Sequence, residues 1–427
     1  MNRSVAEQEI PLIWSREFHP ADRMARQLLH RVLANLQTGY LILVENHERF
    51  AFGDIESPED LRATITVSDQ RFYRSIVFGG SIGAGESYMA GYWDCDELTA
   101  LTRLIVRNER VLLDVDSGLA RLAAPLRKLY HWKNKNTRLG SRGNIKAHYD
   151  LGNDLYALFL DETMTYSCGI FERPDATLAD ASIAKNDRLC RKLELKETDH
   201  LLEIGTGWGG FALHAASRYG CRVTTTTISR AQFDWAEQRI REQGLEGRIQ
   251  LLFTDYRDLT GTYDKLVSIE MIEAVGHHYL ETFFRHCCRL LTADGMMALQ
   301  AITIADQKYE AHKRDVDFIK RYIFPGSTLT SVTALCAAAT RSSDLRLFHL
   351  EDISPHYART LREWRMRFFS NLEKVRALGY PQQFIRMWEY YLCYCEGAFM
   401  ERYVGDVQTL FVKPGCRREP VLEALMP

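Results

Sequence analysis

The run Leu201–Gly210, LLEIGTGWGG, constrains this chain more than any other stretch. Leu201, Leu202 and Ile204 read as a short buried strand, and a glycine-rich loop follows at once. Gly205, Gly207 and Gly209 let backbone amides approach a bound group without obstruction by side chains. The loop fits G-x-G-x-x-G with Gly205, Gly207 and Gly210 at the marked positions, a pattern that serves dinucleotide loops, other nucleotide loops and plain structural turns alike. The next strand ends in threonines, where a dinucleotide site places an acidic residue about twenty positions on, and this weighs against a nicotinamide cofactor.

Around the loop the sequence alternates strands and helices. Candidate strands are His200–Ile204, Arg222–Thr226, Ile249–Phe253, Asp264–Ile269 and Met296–Ala301, with helical patterns after the first, second and fourth. That alternation predicts a mostly parallel sheet with its ligand crevice at the carboxyl ends of the strands. His148, His277 and His278 form neither HExxH nor a closed ligand array, so no metal site is expected. Ser167 and Ser229 lack a G-x-S-x-G setting, which argues against a serine hydrolase.

A chain of 427 residues has room for two domains. Ahead of the alternating region, a helix is expected from about Ala21 to Asn35, followed by strand-like runs at Tyr40–Val44, Arg49–Phe52 and Ala63–Val67. Gly79, Gly80, Gly83 and Gly85 suggest a turn-rich passage, and a further helix is expected from near Asp96. The resulting division is a small α+β domain over 1–120, a basic linker over 121–147, and the main domain over 148–427.

From Ser117 to Tyr149 there is no Asp or Glu, while Arg121, Arg127, Lys128, Lys133, Lys135, Arg138, Arg142 and Lys146 alternate with Leu122, Leu126, Leu129, Tyr130 and Trp132. Such a stretch suits either an anionic membrane surface or a solvated linker. Over the whole chain, 54 basic residues nearly balance 56 acidic ones, so bulk attraction to nucleic acid is not expected. The ten cysteines include no C-x-x-C pair, and a reducing cytoplasm is the simpler setting. The opening residues hold acids and a proline and no later apolar run approaches eighteen residues, so neither a secretory signal nor a membrane span is expected.

LLEIGTGWGG is one of several motifs that occur together. TISRAQ at Thr227–Gln232, IEMIEAVG at Ile269–Gly276, HYDLGNDLY at His148–Tyr156, MTYSCGIF at Met164–Phe171 and RYIFPG at Arg321–Gly326 accompany it, with GESYMAGYWDCD upstream and MWEYYLCYCEGAF downstream. Jointly they resemble the cyclopropane-fatty-acyl-phospholipid synthase and mycolate cyclopropane synthase family, over most of the chain and including the small amino-terminal domain of the phospholipid-modifying branch. The resemblance implies an α/β, Rossmann-like S-adenosylmethionine-dependent methyltransferase fold. It also implies electrophilic methyl transfer to the cis alkene of an unsaturated phospholipid, peripheral association with the inner leaflet, and a homodimer.

By the same resemblance, Tyr166, Ser167, Gly205, Gly207, Thr227, Ile228, Gln232, Tyr256 and Arg257 occupy cofactor-contact positions. The ordinary readings of Gln232 and Tyr256 are a surface helix residue and a core aromatic. A bound bicarbonate is implied as the base that closes the ring, held by Cys168, Glu273, Gln300 and Tyr357 with a backbone contribution near Ile302. Cys168 also reads as a small buried residue and Tyr357 as a packed aromatic.

Two positions depart from the pattern. Gln300 stands where histidine is usual, and Ala274 where a histidine often follows the glutamate; plant-like and actinobacterial-like branches show a similar pairing. Gln300 can donate hydrogen bonds but cannot relay a proton, so methylene or methyl-branched products stand beside the cyclopropane, and an inactive lipid-binding protein is a third reading. Tyr309, Phe318, Ile319, Tyr322, Ile323, Phe324, Phe368 and Phe369 are candidates for an acyl pocket or for core.

Overall fold

The computed structural model describes residues 19–109 and 151–421. Two compact units emerge, one of Met1–Ala124 with Pro381–Gly397, the other of Pro125–Tyr380 with Ala398–Pro427. The expected linker 121–147 and the basic stretch 117–149 lie outside the described residues.

In the smaller unit, α1 (Pro20–Leu33) begins on a proline and buries Ala25, Leu29, Val32 and Leu33 along one stripe. β1 (Tyr40–Glu45) and β2 (Glu48–Gly53) form a hairpin whose two turn residues, Asn46 and His47, have φ of 48° and 68°, suited to the right-handed strand twist. β3 (Arg62–Val67) runs parallel to β1, and β4 (Trp93–Cys95) closes the sheet in the order β2-β1-β3-β4. Between these last two strands lies α2 (Arg71–Met89), and α3 (Leu98–Arg107) follows β4.

The passage holding Gly79 to Gly85 is therefore helical, where the sequence suggested turns. Phe72, Tyr73, Val77, Ile82 and Tyr88 are buried along α2, and only Gly80 departs from helical geometry (φ 54°, ψ −138°). Gly83 serves a close approach: a Cβ there would lie 1.9 Å from the Ser75 carbonyl oxygen. The returning segment Pro381–Gly397, which carries most of the helix Gln382–Met400, completes this unit, with Cys393 in the same apolar cluster as Leu41, Ile65 and Trp93.

The larger unit contains, in order, α4 (Asn153–Phe159), α5 (Leu178–Lys192), β5 (His200–Ile204), α6 (Gly210–Tyr219), β6 (Arg222–Thr227), α7 (Arg230–Glu242), β7 (Ile249–Phe253), β8 (Tyr263–Ile269), α8 (Ile272–Val275) and α9 (Leu280–Leu290). β9 (Leu291–Ile304), α10 (Asp306–His312), α11 (Val332–Ser342), β10 (Arg346–Asp352), α12 (Ser354–Ser370), α13 (Leu372–Ala377) and β11 (Val404–Val412) complete it. Seven strands pair in the order β10-β11-β9-β8-β5-β6-β7. β5 to β9 are mutually parallel, and β11 is antiparallel to both its neighbours.

The chain moves from β5 outward through β6 and β7, then returns to place β8 and β9 on the other side. Strand order thus reverses at β5, and in such sheets the ligand crevice opens beyond the carboxyl ends of the strands at that reversal. Two apolar layers hold the sheet: Leu202, Leu266, Phe283 and Phe284 in one, Leu201, Val223, Val267 and Phe211 in the other. Among the described residues no helix is long and apolar enough to cross a membrane.

Candidate active site

A cavity opens at the carboxyl ends of β5, β6 and β8. All nine residues expected to contact a cofactor, Tyr166, Ser167, Gly205, Gly207, Thr227, Ile228, Gln232, Tyr256 and Arg257, line it. Gly205 and Gly207 adopt φ of 103° and 54°, the left-handed region that side chains disfavour. The Gly205 and Thr206 amides both donate to the Thr226 carbonyl, at 3.1 and 3.0 Å, so the loop is pinned to the end of β6.

Gln232 is buried on the first turn of α7, and its Oε1 accepts the Thr227 hydroxyl at 3.0 Å. Its amide N–H groups are the donors it has to offer, and the surface-helix reading does not apply. Tyr256 meets Phe283 edge-on at 5.6 Å, joining the apolar layer while lining the cavity. The Arg257 guanidinium is bound to Asp255 at 2.8 and 2.6 Å, so a cavity-lining carboxylate offsets its charge.

The four residues assigned to the reacting end do not line this cavity; Glu270 does. Glu270 follows β8 directly, has φ 46°, and its N–H donates to the Gln300 carbonyl at 2.9 Å. Its Oε1 accepts the Cys168 backbone N–H at 2.8 Å and the Gln300 side-chain amide at 2.7 Å, while its Oε2 accepts the Tyr357 hydroxyl at 2.6 Å. Three of the four expected residues therefore converge on a carboxylate that the sequence reading passed over, although Glu270 sits inside the quoted IEMIEAVG.

Cys168 takes part through its backbone. Its thiol contacts the Gly169 carbonyl at 3.2 Å and is fully buried, which pushes its pKa well up and keeps it protonated. Glu273, the fourth residue, accepts the Ile302 N–H at 2.6 Å through Oε1, while Oε2 has no hydrogen-bond partner among the described residues. Burial, then the Glu270 charge, pushes the Glu273 pKa up to about 8, so it is largely a neutral acid at pH 7.

Asp406, from β11, is a second omission. It accepts the Gln300 amide at 3.1 Å, and burial followed by the Glu270 charge holds its pKa far above the carboxylate range. Protonated, it hydrogen-bonds to Glu270, whereas two bare carboxylates would repel. Lys185 of α5 supplies a buried cation at the cavity wall, donating to the Ser167 hydroxyl at 3.1 Å; burial lowers its pKa against the opposing pull of Glu270.

Gln300 is held in turn by a relay. Its Oε1 accepts the Gln408 amide at 3.0 Å, and the Gln408 Oε1 accepts Lys192 Nζ at 2.8 Å, with Lys192 also on Glu351 at 2.5 Å. A lysine only donates, so Lys192 fixes which end of Gln408 faces it and hence which end of Gln300 faces Glu270.

None of the eight candidate acyl-pocket residues lines the cavity. Phe318, Ile323 and Phe368 are buried in the protein core, whereas Phe324 reaches Tyr166 at 6.4 Å between ring centres. RYIFPG begins inside a π-helical turn, Ile319–Ile323, and Gly326 (φ 78°) ends the segment. Among the described residues no group of three or more His, Cys, Asp and Glu side chains is arranged to hold a metal ion.

The profile of the mycolic acid cyclopropane synthetase family matches residues 136–409. The chain is 39% identical over 349 residues to tuberculostearic acid methyltransferase UfaA1 of Mycobacterium tuberculosis, covering 80% of this chain and 81% of that protein. It is 36% identical over 352 residues to the cyclopropane-fatty-acyl-phospholipid synthase of Escherichia coli K12, covering 82% and 87%. The crystal structure of mycolic acid cyclopropane synthase CmaA1 complexed with SAH and CTAB superposes with a TM-score of 0.60 at 33% identity, over 64% of this chain and 98% of that one. On this evidence the chain has an α/β S-adenosylmethionine-dependent methyltransferase fold and belongs to the mycolic acid cyclopropane synthetase family.

Proposed function

We propose that this enzyme transfers the methyl carbon of S-adenosylmethionine to the cis alkene of an unsaturated phospholipid acyl chain, giving a cyclopropane. The observation that carries the reading is the cavity at the strand-order reversal, lined by all nine candidate cofactor contacts and by the carboxylate of Glu270. Gly205, Gly207, Thr227, Ile228 and Gln232 would hold the cofactor's polar portion, with Tyr256 beside its adenine. Tyr166 and Ser167 would border its reactive end. S-Adenosylmethionine, when bound, supplies an electrophilic methyl group on a positively charged sulfur.

The chain's own residues then exclude water and hold charge. Tyr166 packs edge-on against Tyr156 and Phe159 and tilted against Trp364, an aromatic wall that keeps this end dry. Glu270 provides negative charge near the cationic methyl and the carbocation that forms on the acyl chain.

Bicarbonate fits this donor set poorly. Its expected donors, the Cys168 amide, Gln300 and Tyr357, are engaged by Glu270, and a second anion would lie against a like charge.

A second reading, open-chain methylene or methyl products, is favoured by the 39% identity to a tuberculostearic acid methyltransferase. Purified protein incubated with methyl-labelled S-adenosylmethionine and unsaturated phospholipid vesicles separates the two. Ring protons and loss of the alkene mark the cyclopropane; retained unsaturation marks an exomethylene product. The absence of labelled lipid from folded, cofactor-binding protein would defeat both and leave lipid binding alone.

Membrane association is proposed on the basic stretch 117–149. Anionic vesicles should bind the protein more tightly than neutral ones. Charge reversal at Arg127, Lys128, Lys133 and Lys135 should remove that preference, and no preference in the unaltered protein would contradict the proposal.

A further inference from the structure

We propose that the Glu270 carboxylate is the base of the reaction, built into the chain on the seat formed by the Cys168 N–H, the Gln300 amide and the Tyr357 hydroxyl. The inference rests on the methyl-transfer reading and specifies how that site disposes of a proton.

Three observations carry it. Glu270 lines the cofactor cavity and receives donors at its two oxygens, at 2.8 and 2.7 Å on one and 2.6 Å on the other, whereas the other carboxylates of the lining are Asp255, paired with Arg257, and Glu203, held by Thr225. The other carboxyls of the cluster, Asp406 and Glu273, lie outside the cavity lining. Glu270 also takes a left-handed backbone, φ 46°, a conformation that a glutamate adopts at a cost and that turns up where function demands a geometry.

The proton balance closes without another reactant. The alkene's π pair forms the new bond to the methyl carbon as the carbon–sulfur bond breaks, and that pair remains on sulfur as a neutral thioether. A carbocation is left on the acyl chain. Glu270 then takes one proton from the transferred methyl, and the released C–H pair closes the three-membered ring. If a hydride first shifts from the methyl-bearing carbon to its cationic neighbour, the cation sits beside the methyl group, and loss of the same methyl proton gives the exomethylene instead. A carbocation is a very strong acid, so a hydrogen-bonded carboxylate is base enough, and its placement matters more than its strength. After product release, Glu270 returns the proton to water through the cavity.

The groups packed around Glu270 agree with this assignment. Gln300, Tyr357 and the Cys168 amide donate to it, protonated Asp406 adds a further hydrogen bond, and Lys185 is the nearby buried cation.

The test compares wild type, Glu270→Gln and Glu270→Gly in carbon-dioxide-free buffer with and without added bicarbonate. Cofactor affinity is followed by calorimetry and bicarbonate binding by carbon-13 NMR. The glycine variant relieves a left-handed residue and should fold. Wild type should keep its rate within about twofold without bicarbonate. Glu270→Gln should lose about 100-fold or more in kcat, the usual range for a general base, with cofactor affinity retained. Glu270→Gly should bind bicarbonate on the vacated donors and regain about tenfold in rate from it.

A wild-type rate that collapses without bicarbonate, or bicarbonate that binds wild type as well as Glu270→Gly, would overturn the assignment. Should wild type turn over under neither condition, the methyl-transfer reading fails, and the binding comparison still decides who owns the seat.

Discussion

Glu203 and Glu273 are both fully buried, and burial pushes each pKa up from 4.5 to about 8. Glu203 receives one hydrogen bond, from the Thr225 hydroxyl at 2.5 Å, and Glu273 one from the Ile302 amide. Each native side chain keeps a proton that the unfolded chain gives up, so their contribution to stability is complete below about pH 4.5. It declines as the pH rises toward about 8, with a slope of at most about 1.4 kcal/mol per pH unit for each group. Glu203→Gln and Glu273→Gln should therefore flatten the fall in urea midpoint between about pH 5 and 8. Curves parallel to wild type would show that these carboxyls are ionised in the fold.

At the scale of elements, the relay from Glu351 on β10 through Lys192 on α5 and Gln408 on β11 to Gln300 on β9 sets the direction of one amide. Replacing Lys192 with Met leaves Gln408 free to flip and Gln300 held from the Glu270 side alone, since an amide's two ends differ only in their hydrogen bonds. We expect Lys192→Met to lower kcat by about tenfold with KM for the cofactor unchanged, and Lys192→Arg to recover part of the loss. Equal changes in kcat and cofactor affinity would point instead to general disruption.

The parallel strands were legible because each is a short apolar run with its own helical partner, and the glycine loop because left-handed backbone needs glycine. Glu270 was hidden by its neighbour Glu273, since sequence alone does not say which carboxylate turns inward after a left-handed step. Asp406 and Gln408 were hidden because their role depends on β11 pairing beside β9, more than a hundred residues away in sequence. The glycines of α2 misled for a related reason: Gly83 serves a contact that is invisible along the chain. They give a paired expectation. Gly79 has open space around a built Cβ, so Gly79→Ala should stabilise by about 0.5–1 kcal/mol. Gly83→Ala should destabilise by about 1–3 kcal/mol, because Ser75 must move. Equal effects in urea unfolding would contradict the packing account.

For the whole molecule, the smaller unit is discontinuous in sequence: Pro381–Gly397 joins it from beyond most of the larger one. Cutting at the basic stretch would therefore strip the small unit of a core helix, and the two units cannot be obtained by a single cut. Arg386 is the polar anchor of that returning segment. Its guanidinium pairs with Asp94 at 2.6 Å, donates to the Trp93 and Tyr88 carbonyls at 2.7 and 2.5 Å, and lies 3.9 Å above the Tyr88 ring. Removing it takes a charged donor from the Trp93 and Tyr88 carbonyls and uncovers the aromatic face, a loss of about 2–3 kcal/mol. Arg386→Ala should lower the urea midpoint and speed amide exchange first in the last turn of α2 and in β4. Cofactor affinity should hold, since every candidate contact belongs to the other unit. Exchange that accelerates uniformly across both units would mean that they unfold as one, and that the returning helix stabilises the whole chain rather than the small unit it completes.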